Sequence, residues 1–260
     1  MKERIPLRIS PFFFLVAGII GWLYSRSLVG TLIWIAIIFI SILIHEFGHA
    51  ITARAFGQSP RIELVAFGGL TYPAGKKIAK WKEFIVVLNG PLFGFALFII
   101  ATILLKVFPM NEGTLSYSFV KTLQIVNLFW TIVNLIPILP LDGGQLLRIA
   151  LEGMFKTRGL KIALLSSMIF AVVLAFYCFS IKFLIAGVLF ILFAFQNFQG
   201  FRQLRFVTTT DGDDHLKEKL QKAELSFQQG DEKRALTAFE EIINETKEGV
   251  IYMIAAGYLA

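Results

Sequence analysis

The sequence is poor in cysteine, histidine and charge. It has one cysteine, Cys178, which excludes an internal disulfide and a metal site built mainly on thiolates. It has only three histidines, and only 17% of its 260 residues are charged. The net charge of +7 does not indicate a nucleic-acid partner, because the basic residues lie in short loops between apolar runs, a pattern typical of membrane orientation.

Apolar residues are abundant instead. They make up 56% of the chain, against about 45–50% in a typical soluble domain, and the mean hydropathy is +0.71. They are gathered in six segments, roughly residues 10–25, 28–50, 83–106, 118–141, 162–179 and 183–200. Because a span needs about 20 residues, we predict an all-α polytopic membrane protein with about six transmembrane helices in the lipid bilayer.

The basic residues predict an orientation for these spans. If the N-terminus is cytoplasmic, fifteen of the 25 lysines and arginines lie on the inner side, four on the outer side and six in the C-terminal tail. This asymmetry predicts that both termini are cytoplasmic. The first segment resembles a signal peptide, but residues 23–25 (LYS) offer no small-residue cleavage site, so we interpret it as a retained span. The short loops suggest a prokaryotic inner membrane.

The second segment ends in residues 45–49, HEFGH. Two histidines four apart, His45 and His49, lie on one face of a helix and can hold one zinc ion. Glu46 between them can accept a proton from water at the metal. Such groups are costly inside an apolar stretch and are usually functional there. The alternative is a pair of core histidines satisfied by hydrogen bonds with a nearby acid.

A catalytic zinc site uses three protein ligands, so the two histidines need a partner. The elongated HExxH motif would place glycine at 52 and histidine at 55, where this chain has Thr52 and Ala55. Glu63 and Glu83 lie downstream, one in a strand-like loop and one at the edge of a span among positive residues. Neither has the surroundings expected of a helical glutamate ligand.

Asp142 is a better candidate for the third ligand. It ends an apolar run and follows Pro137 and Pro140, which break the helix before it. Broken backbone at membrane depth is tolerated where it lines a buried or watery cavity. If both segments are helical, a rise of 1.5 Å per residue brings His45 and Asp142 to a similar depth near the cytoplasmic boundary. Asp142 can also be the N-cap of a following helix, predicted over 145–154.

Two further regions have recognisable patterns. Residues 61–72 alternate partly around Gly68 and Gly69, which indicates either a short β-hairpin near the active site or an ordinary loop. The open edge of such a hairpin could pair with an extended peptide. The polar tail, residues 211–260, predicts a helical hairpin turning at Gly230 and then a further helix. Its spacing resembles a tetratricopeptide repeat that docks a protein partner; the alternative is a solvated amphipathic tail.

HEFGH in one span and residues 134–143 (NLIPILPLDG) in a later one together resemble the site-2 protease family of intramembrane zinc metalloproteases. The resemblance covers roughly residues 28–150, the core of a transmembrane domain that we place at 1–206. It implies Zn²⁺ bound by His45, His49 and Asp142, with Glu46 as the base. Residues 89–92 (NGPL) also match, and we assign them helix breaking and close packing.

The resemblance also implies a substrate and leaves two questions open. The expected substrate is a single-span membrane protein or a signal-peptide remnant. Asn134 is expected to bind the substrate backbone or the oxyanion; the alternative is an amide that packs helices. The alternative function is a catalytically silent membrane metal-binding or transport protein with a partner-docking tail.

Overall fold

The computed structural model describes residues 5–66, 68–204, 211 and 213–259. Contacts between residues divide the chain into two compact units, Met1–Ala150 and Leu151–Ala260. The domain boundary expected at 206–211 falls mostly on residues outside the described ranges and stays a prediction.

The first unit is built on long apolar helices around a central one. Its helices are α1 (Pro11–Ser25), α2 (Leu28–Ala55), α3 (Lys80–Val107), α4 (Leu115–Asn134) and most of α5 (Asp142–Phe155). Helix α2 packs against α1, α3 and α4. The apolar core between α2, α3 and α4 contains Ile37, Ala101, Val120 and Leu123. Helix α2 is therefore in position to present side chains to the middle of the unit.

A three-stranded sheet lies beside α1 and α2. Strands β1 (Leu7–Ile9), β2 (Arg61–Val65) and β3 (Gly68–Tyr72) lie in that order, β1 parallel and β3 antiparallel to β2. The predicted hairpin is therefore confirmed, and the reading of this segment as an ordinary loop was wrong. Ile62 and Leu64 of β2 are completely buried with Phe13 of α1 and Ala50 of α2. Strand β1 was not predicted, because three residues are too few to show an alternating pattern.

The second unit contains two groups of helices. Helices α6 (Thr157–Ser180) and α7 (Leu184–Gln203) pack on each other, with Gly187 of α7 against the ring of Phe179. The tail forms α8 (Asp214–Gln228), α9 (Glu232–Glu245) and α10 (Val250–Leu259) around Phe239 and Ile242. The predicted helical hairpin and its turn are confirmed, with Gly230 in the left-handed region at φ 84°. Its assignment to a tetratricopeptide repeat stays a prediction.

The molecule is an integral membrane protein. Within the described residues, α2, α3, α6 and α7 are long and apolar enough to cross a membrane. Helix α1 has 15 residues and α4 has 20, and the expected count of six spans stays a prediction.

The helix break predicted before Asp142 is present, because α4 ends at Asn134, shortly before Pro137, and does not fill the whole apolar segment 118–141. The helix break expected at residues 89–92 was wrong, because α3 continues through Pro91 to Val107. A transmembrane helix can tolerate an internal proline when local adjustments and neighbouring groups satisfy the freed carbonyl.

Candidate metal centre

Helix α2 delivers three ionisable side chains to one buried place. His45, Glu46 and His49 have exposed fractions of 6%, 5% and 8%. The helical spacing of four residues brings the two imidazoles onto the same face, and their Nε2 atoms lie 3.1 Å apart. The His49 Nδ1 atom lies 2.9 Å from the carbonyl oxygen of Val86 in α3. Because a carbonyl can only accept, this contact places the proton of a neutral ring on Nδ1, which leaves the lone pair of Nε2 for the centre.

Asp142 completes the centre from α5. Its Oδ2 lies 3.0 Å from His45 Nε2, and its Oδ1 lies 3.5 Å from His49 Nε2. The convergence of these side chains was predicted, but the expected N-cap role of Asp142 was wrong. The Leu141 carbonyl accepts the N–H of Gln145 at 3.0 Å, so α5 starts three residues before the predicted start at 145 and Asp142 is its first helical residue. An acid in the first turn is favoured by the helix dipole.

Glycines allow these elements to approach one another closely. A β-carbon on Gly90 of α3 would overlap the His49 ring, and one on Gly48 of α2 would overlap the Asn89 backbone. The close packing expected of residues 89–92 is therefore present. Gly143 and Gly144 lie in the same way against the backbone of residues 135–139. Side chains at these positions would push Asp142 or His49 away from the centre.

Glu46 has a partner in the sheet that sequence reasoning missed. The Thr71 hydroxyl of β3 donates to Glu46 Oε2 at 2.6 Å. Gly69 of the same strand lies directly against the Glu46 side chain. Only the register of the hairpin could have revealed these contacts, because Thr71 and Gly69 pair with the buried Ile62 and Leu64.

The other sequence candidates lie elsewhere. Glu63 Oε1 is 3.7 Å from Arg61 Nε, and Glu83 Oε1 is 2.9 Å from Arg148, so both acids are engaged in ion pairs. Asn134 is the last residue of α4 and is half-buried. Its role toward substrate stays a prediction.

The three side chains fit a zinc ion. His45, His49 and Asp142 each offer a ligand atom, all within 4.8 Å of one another, the one such group among the described residues. Two imidazoles and a carboxylate are a donor set that zinc prefers. Tetrahedral ligands about 2.0–2.1 Å from zinc lie about 3.3 Å apart, close to the observed 3.1 Å between the Nε2 atoms. Asp142 Oδ2 is buried and lies 3.0 Å from His45 Nε2, so the donor atoms of the three side chains face one another, and a bound cation would satisfy all of them.

A comparison with known families decides the class of the chain. The profile of peptidase family M50 matches residues 33–112 and 110–177, more than half of the sequence. The chain belongs to peptidase family M50. The matched residues include both histidines, Glu46 and Asp142.

Relatives of this M50 chain include named proteases. It is 33% identical over 153 residues to a zinc metalloprotease of Methanocaldococcus jannaschii, covering 58% of this chain and 44% of that protein. It is 29% identical over 209 residues to stage IV sporulation protein FB of Bacillus subtilis, covering 78% and 68%. The solved structure of a site-2 protease from Methanocaldococcus jannaschii matches with a TM-score of 0.59 and 26% identity, over 77% of this chain and 94% of that one.

These matches differ in extent. The M50 chain spans less than half the length of the first two curated zinc metalloprotease relatives that it matches. The likeness to the solved site-2 protease covers nearly all of that structure. The fold and family of the M50 chain are therefore established.

Proposed function

We propose that this chain is an intramembrane zinc endopeptidase that cleaves a transmembrane segment of a membrane-bound protein or a signal-peptide remnant. The observation that carries the proposal is the buried convergence of His45, His49 and Asp142 on α2 and α5, with Glu46 beside them. In this reading the three side chains hold Zn²⁺ and Glu46 is the catalytic base. The named zinc metalloprotease among the relatives supports it.

The residues of the chain then have distinct tasks. When bound, zinc supplies Lewis acidity, which polarises a carbonyl group and makes water more acidic. The Glu46 carboxylate accepts a proton from the water that attacks the scissile carbonyl carbon. As the C–N bond breaks, Glu46 returns the proton to the leaving amine nitrogen. Asn134 is proposed to donate its amide hydrogens to the substrate backbone or to the developing oxyanion.

The substrate has to be extended before it is cut, because a helix holds its carbonyls in internal hydrogen bonds. Strand β3 offers a means of holding it. In the described sheet β3 is an edge strand paired only with β2, and an extended peptide can add to such an edge. Thr71 of β3 already contacts Glu46, so a peptide paired there is close to the base.

The placement of the chain in the cell is also part of the proposal. The asymmetry of lysine and arginine supports cytoplasmic termini, and the short loops are the basis for proposing a prokaryotic inner membrane. The C-terminal tail is proposed to dock a protein partner. Met253, Ile254 and Tyr258 of α10 support this, since they are 48%, 38% and 38% exposed. Deleting residues 211–260 is expected to leave zinc content unchanged and to alter which substrates are cleaved.

The central test separates metal binding from catalysis. We expect the purified wild type and Glu46→Gln each to hold about one zinc ion per chain by elemental analysis. Cleavage of membrane-bound substrate by Glu46→Gln should fall by about 10²–10⁴-fold, because the general base is lost. His45→Ala and Asp142→Ala should lose both zinc and cleavage. Substrates are identified by cross-linking the Glu46→Gln protein in its native membrane.

A matched control is Glu112→Gln, which makes the same change on an exposed loop residue and should leave both measurements unchanged. Absence of zinc from the wild type would overturn the proposal. Undiminished cleavage by Glu46→Gln would overturn the assigned base. Zinc binding by the wild type without cleavage would favour the second candidate, a metal-binding or transport protein that uses the same ligands.

A further inference from the structure

We infer that strand β3 positions the catalytic base. Thr71 is the positioning residue, and Gly69 leaves room for the Glu46 side chain because it has no side chain of its own. The inference rests on the proposed function, in which Glu46 is the base. The direct observation is the hydrogen bond of 2.6 Å from Thr71 Oγ1 to Glu46 Oε2. A hydroxyl that donates to a carboxylate at this distance makes a short, charge-assisted bond.

The single proton of Thr71 has two acceptors nearby. Its Oγ1 lies 2.6 Å from the Glu46 carboxylate and 3.3 Å from the Glu46 carbonyl oxygen. The shorter contact, to the ionised group, is the stronger one. Thr71 therefore donates to the carboxylate of Glu46, and its oxygen also lies 3.3 Å from the Glu46 carbonyl oxygen.

The hairpin register explains why these two residues face the base. Side chains alternate along a strand, and the Thr71–Ile62 and Gly69–Leu64 pairs lie on the buried face of the sheet. The intervening Leu70 and the following Tyr72 face the other way, with exposed fractions of 44% and 38%. A slip of one residue would exchange the two faces and would remove Thr71 from Glu46.

Gly69 is required for space. A β-carbon at this position would overlap Glu46 Cγ and would lie 2.6 Å from both Cδ and Oε1. Such distances force the Glu46 carboxylate to move. Gly68 provides the contrast, since its φ of 152° favours glycine and nothing lies within 4 Å of its β-position. Of the two glycines, only Gly69 is set against the base.

The consequence is a link between substrate binding and base placement. Glu46 Oε2 is held by Thr71, and Oε1 faces the backbone of Gly69, so β3 fixes the rotation of the carboxylate. The free edge of this same strand is where the extended substrate is proposed to pair. The same strand therefore positions both the scissile peptide and the base.

The test uses full-length protein in lipid and measures kcat, KM and zinc content. Thr71→Val keeps the shape of the side chain and removes the donor. We expect kcat to fall on the order of tenfold to a hundredfold, as for a catalytic group that is slightly misplaced, with KM and zinc content near wild type. Thr71→Ser should restore most of kcat, because it returns the hydroxyl. Tyr24→Phe removes an exposed hydroxyl from α1, a helix that carries none of the proposed site residues, and should change neither parameter.

Two further variants keep the inference falsifiable if Thr71→Val folds poorly. Thr71→Ala and Gly69→Ala should both lower kcat while zinc is retained. In the Glu46→Gln background, Thr71→Val should cause no additional loss of residual cleavage, because Thr71 acts through Glu46.

The outcomes distinguish failure of the proposed function from failure of the inference about β3. If wild type lacks zinc, or if Glu46→Gln cleaves normally, the proposed function fails. If Glu46→Gln is inactive while Thr71→Val has the kcat of wild type, only the present inference fails. Loss of zinc in Thr71→Val or no rescue by Thr71→Ser would show that the strand is merely structural, and an equal loss in Tyr24→Phe would show that the effect is not specific to β3.

Discussion

At the scale of single residues, Gly90 controls how closely α3 can approach the two histidines. It lies beside the His49 ring, and Gly48 of α2 lies beside the Asn89 backbone. These two contacts bring the helices together at the level of the proposed metal site. They also place Val86 one turn before Gly90, where its carbonyl holds His49 Nδ1 at 2.9 Å.

Gly90→Ala is therefore expected to damage the site. The added methyl group overlaps His49 Nε2, the proposed ligand atom, so the imidazole or the helix has to move. We expect zinc content to fall by more than half and the free energy of unfolding to drop by about 1–3 kcal/mol, the usual cost of overpacking. Elemental analysis and thermal unfolding in lipid measure the two effects.

Gly153→Ala is the matched control, because nothing lies within 4 Å of its β-position in α5. Alanine is favoured over glycine inside a helix by roughly 1 kcal/mol, so this variant should bind zinc normally and be at least as stable as wild type. Normal zinc binding by Gly90→Ala would contradict the role given to the close contact.

Residue-level prediction succeeded where the pattern was local. The spacing of His45 and His49 puts them on one helical face, and the prolines and glycines around Asp142 mark it as exceptional. Thr71 was missed because its contact with Glu46 depends on the hairpin register and on how the sheet packs against α2. Neither is encoded in a short stretch of sequence.

At the scale of elements, the placement of α5 decides where Asp142 lies. Asp142 is in its first turn, and Arg148 lies farther along the helix, 2.9 Å from Glu83 Oε1 of α3. The other oxygen, Glu83 Oε2, is 3.2 Å from Lys80. The ion pair ties α5 to the helix that also orients His49.

Breaking this ion pair should weaken metal binding modestly. The Arg148 and Glu83 side chains are 26% and 29% exposed, so solvent screens the pair and its coupling should be about 0.2–1 kcal/mol. A double-mutant cycle of Arg148→Met and Glu83→Gln, read by unfolding and by zinc affinity, measures the coupling. We expect each single variant to lower zinc affinity a few-fold without abolishing it.

The control cycle uses Arg61→Met and Glu63→Gln, whose 3.7 Å pair lies in β2. It should leave zinc affinity unchanged, since neither residue is on a helix that carries a ligand. Additive effects of Arg148→Met and Glu83→Gln on zinc affinity would show that the ion pair does not position α5.

Elements were predictable in proportion to their length. The apolar runs located the long helices, and alternation located the hairpin. Residues 135–141 are as apolar as a span, so hydropathy alone does not show where α4 ends, but Pro137 and Pro140 predicted the helix break before Asp142. Strand β1 is stabilised by pairing with β2 and has no signal of its own in three residues.

At the scale of the whole molecule, polar groups inside the first unit pair with one another. Asn127 of α4 donates to Ser41 of α2 at 2.9 Å, and Gln124 of α4 donates to Thr102 of α3 at 2.9 Å. Such interhelical bonds satisfy polar side chains where the surrounding lipid cannot. The buried polar interior and the apolar helix surfaces fit a chain that lies in a bilayer.

The orientation in that bilayer can be tested with single cysteines. Cys178 is buried, and Cys178→Ala gives a background without thiols. Lys77 lies in the basic loop between α2 and α3, and Glu112 lies in the loop between α3 and α4; both are exposed. We expect a membrane-impermeant maleimide to label Glu112→Cys in intact cells and Lys77→Cys only after permeabilisation, because basic loops stay inside.

The reverse pattern would put the Lys77 loop on the outer side and contradict the proposed cytoplasmic termini. Equal labelling of both in intact cells would mean that the two loops are not separated by a span, which would contradict a transmembrane α3.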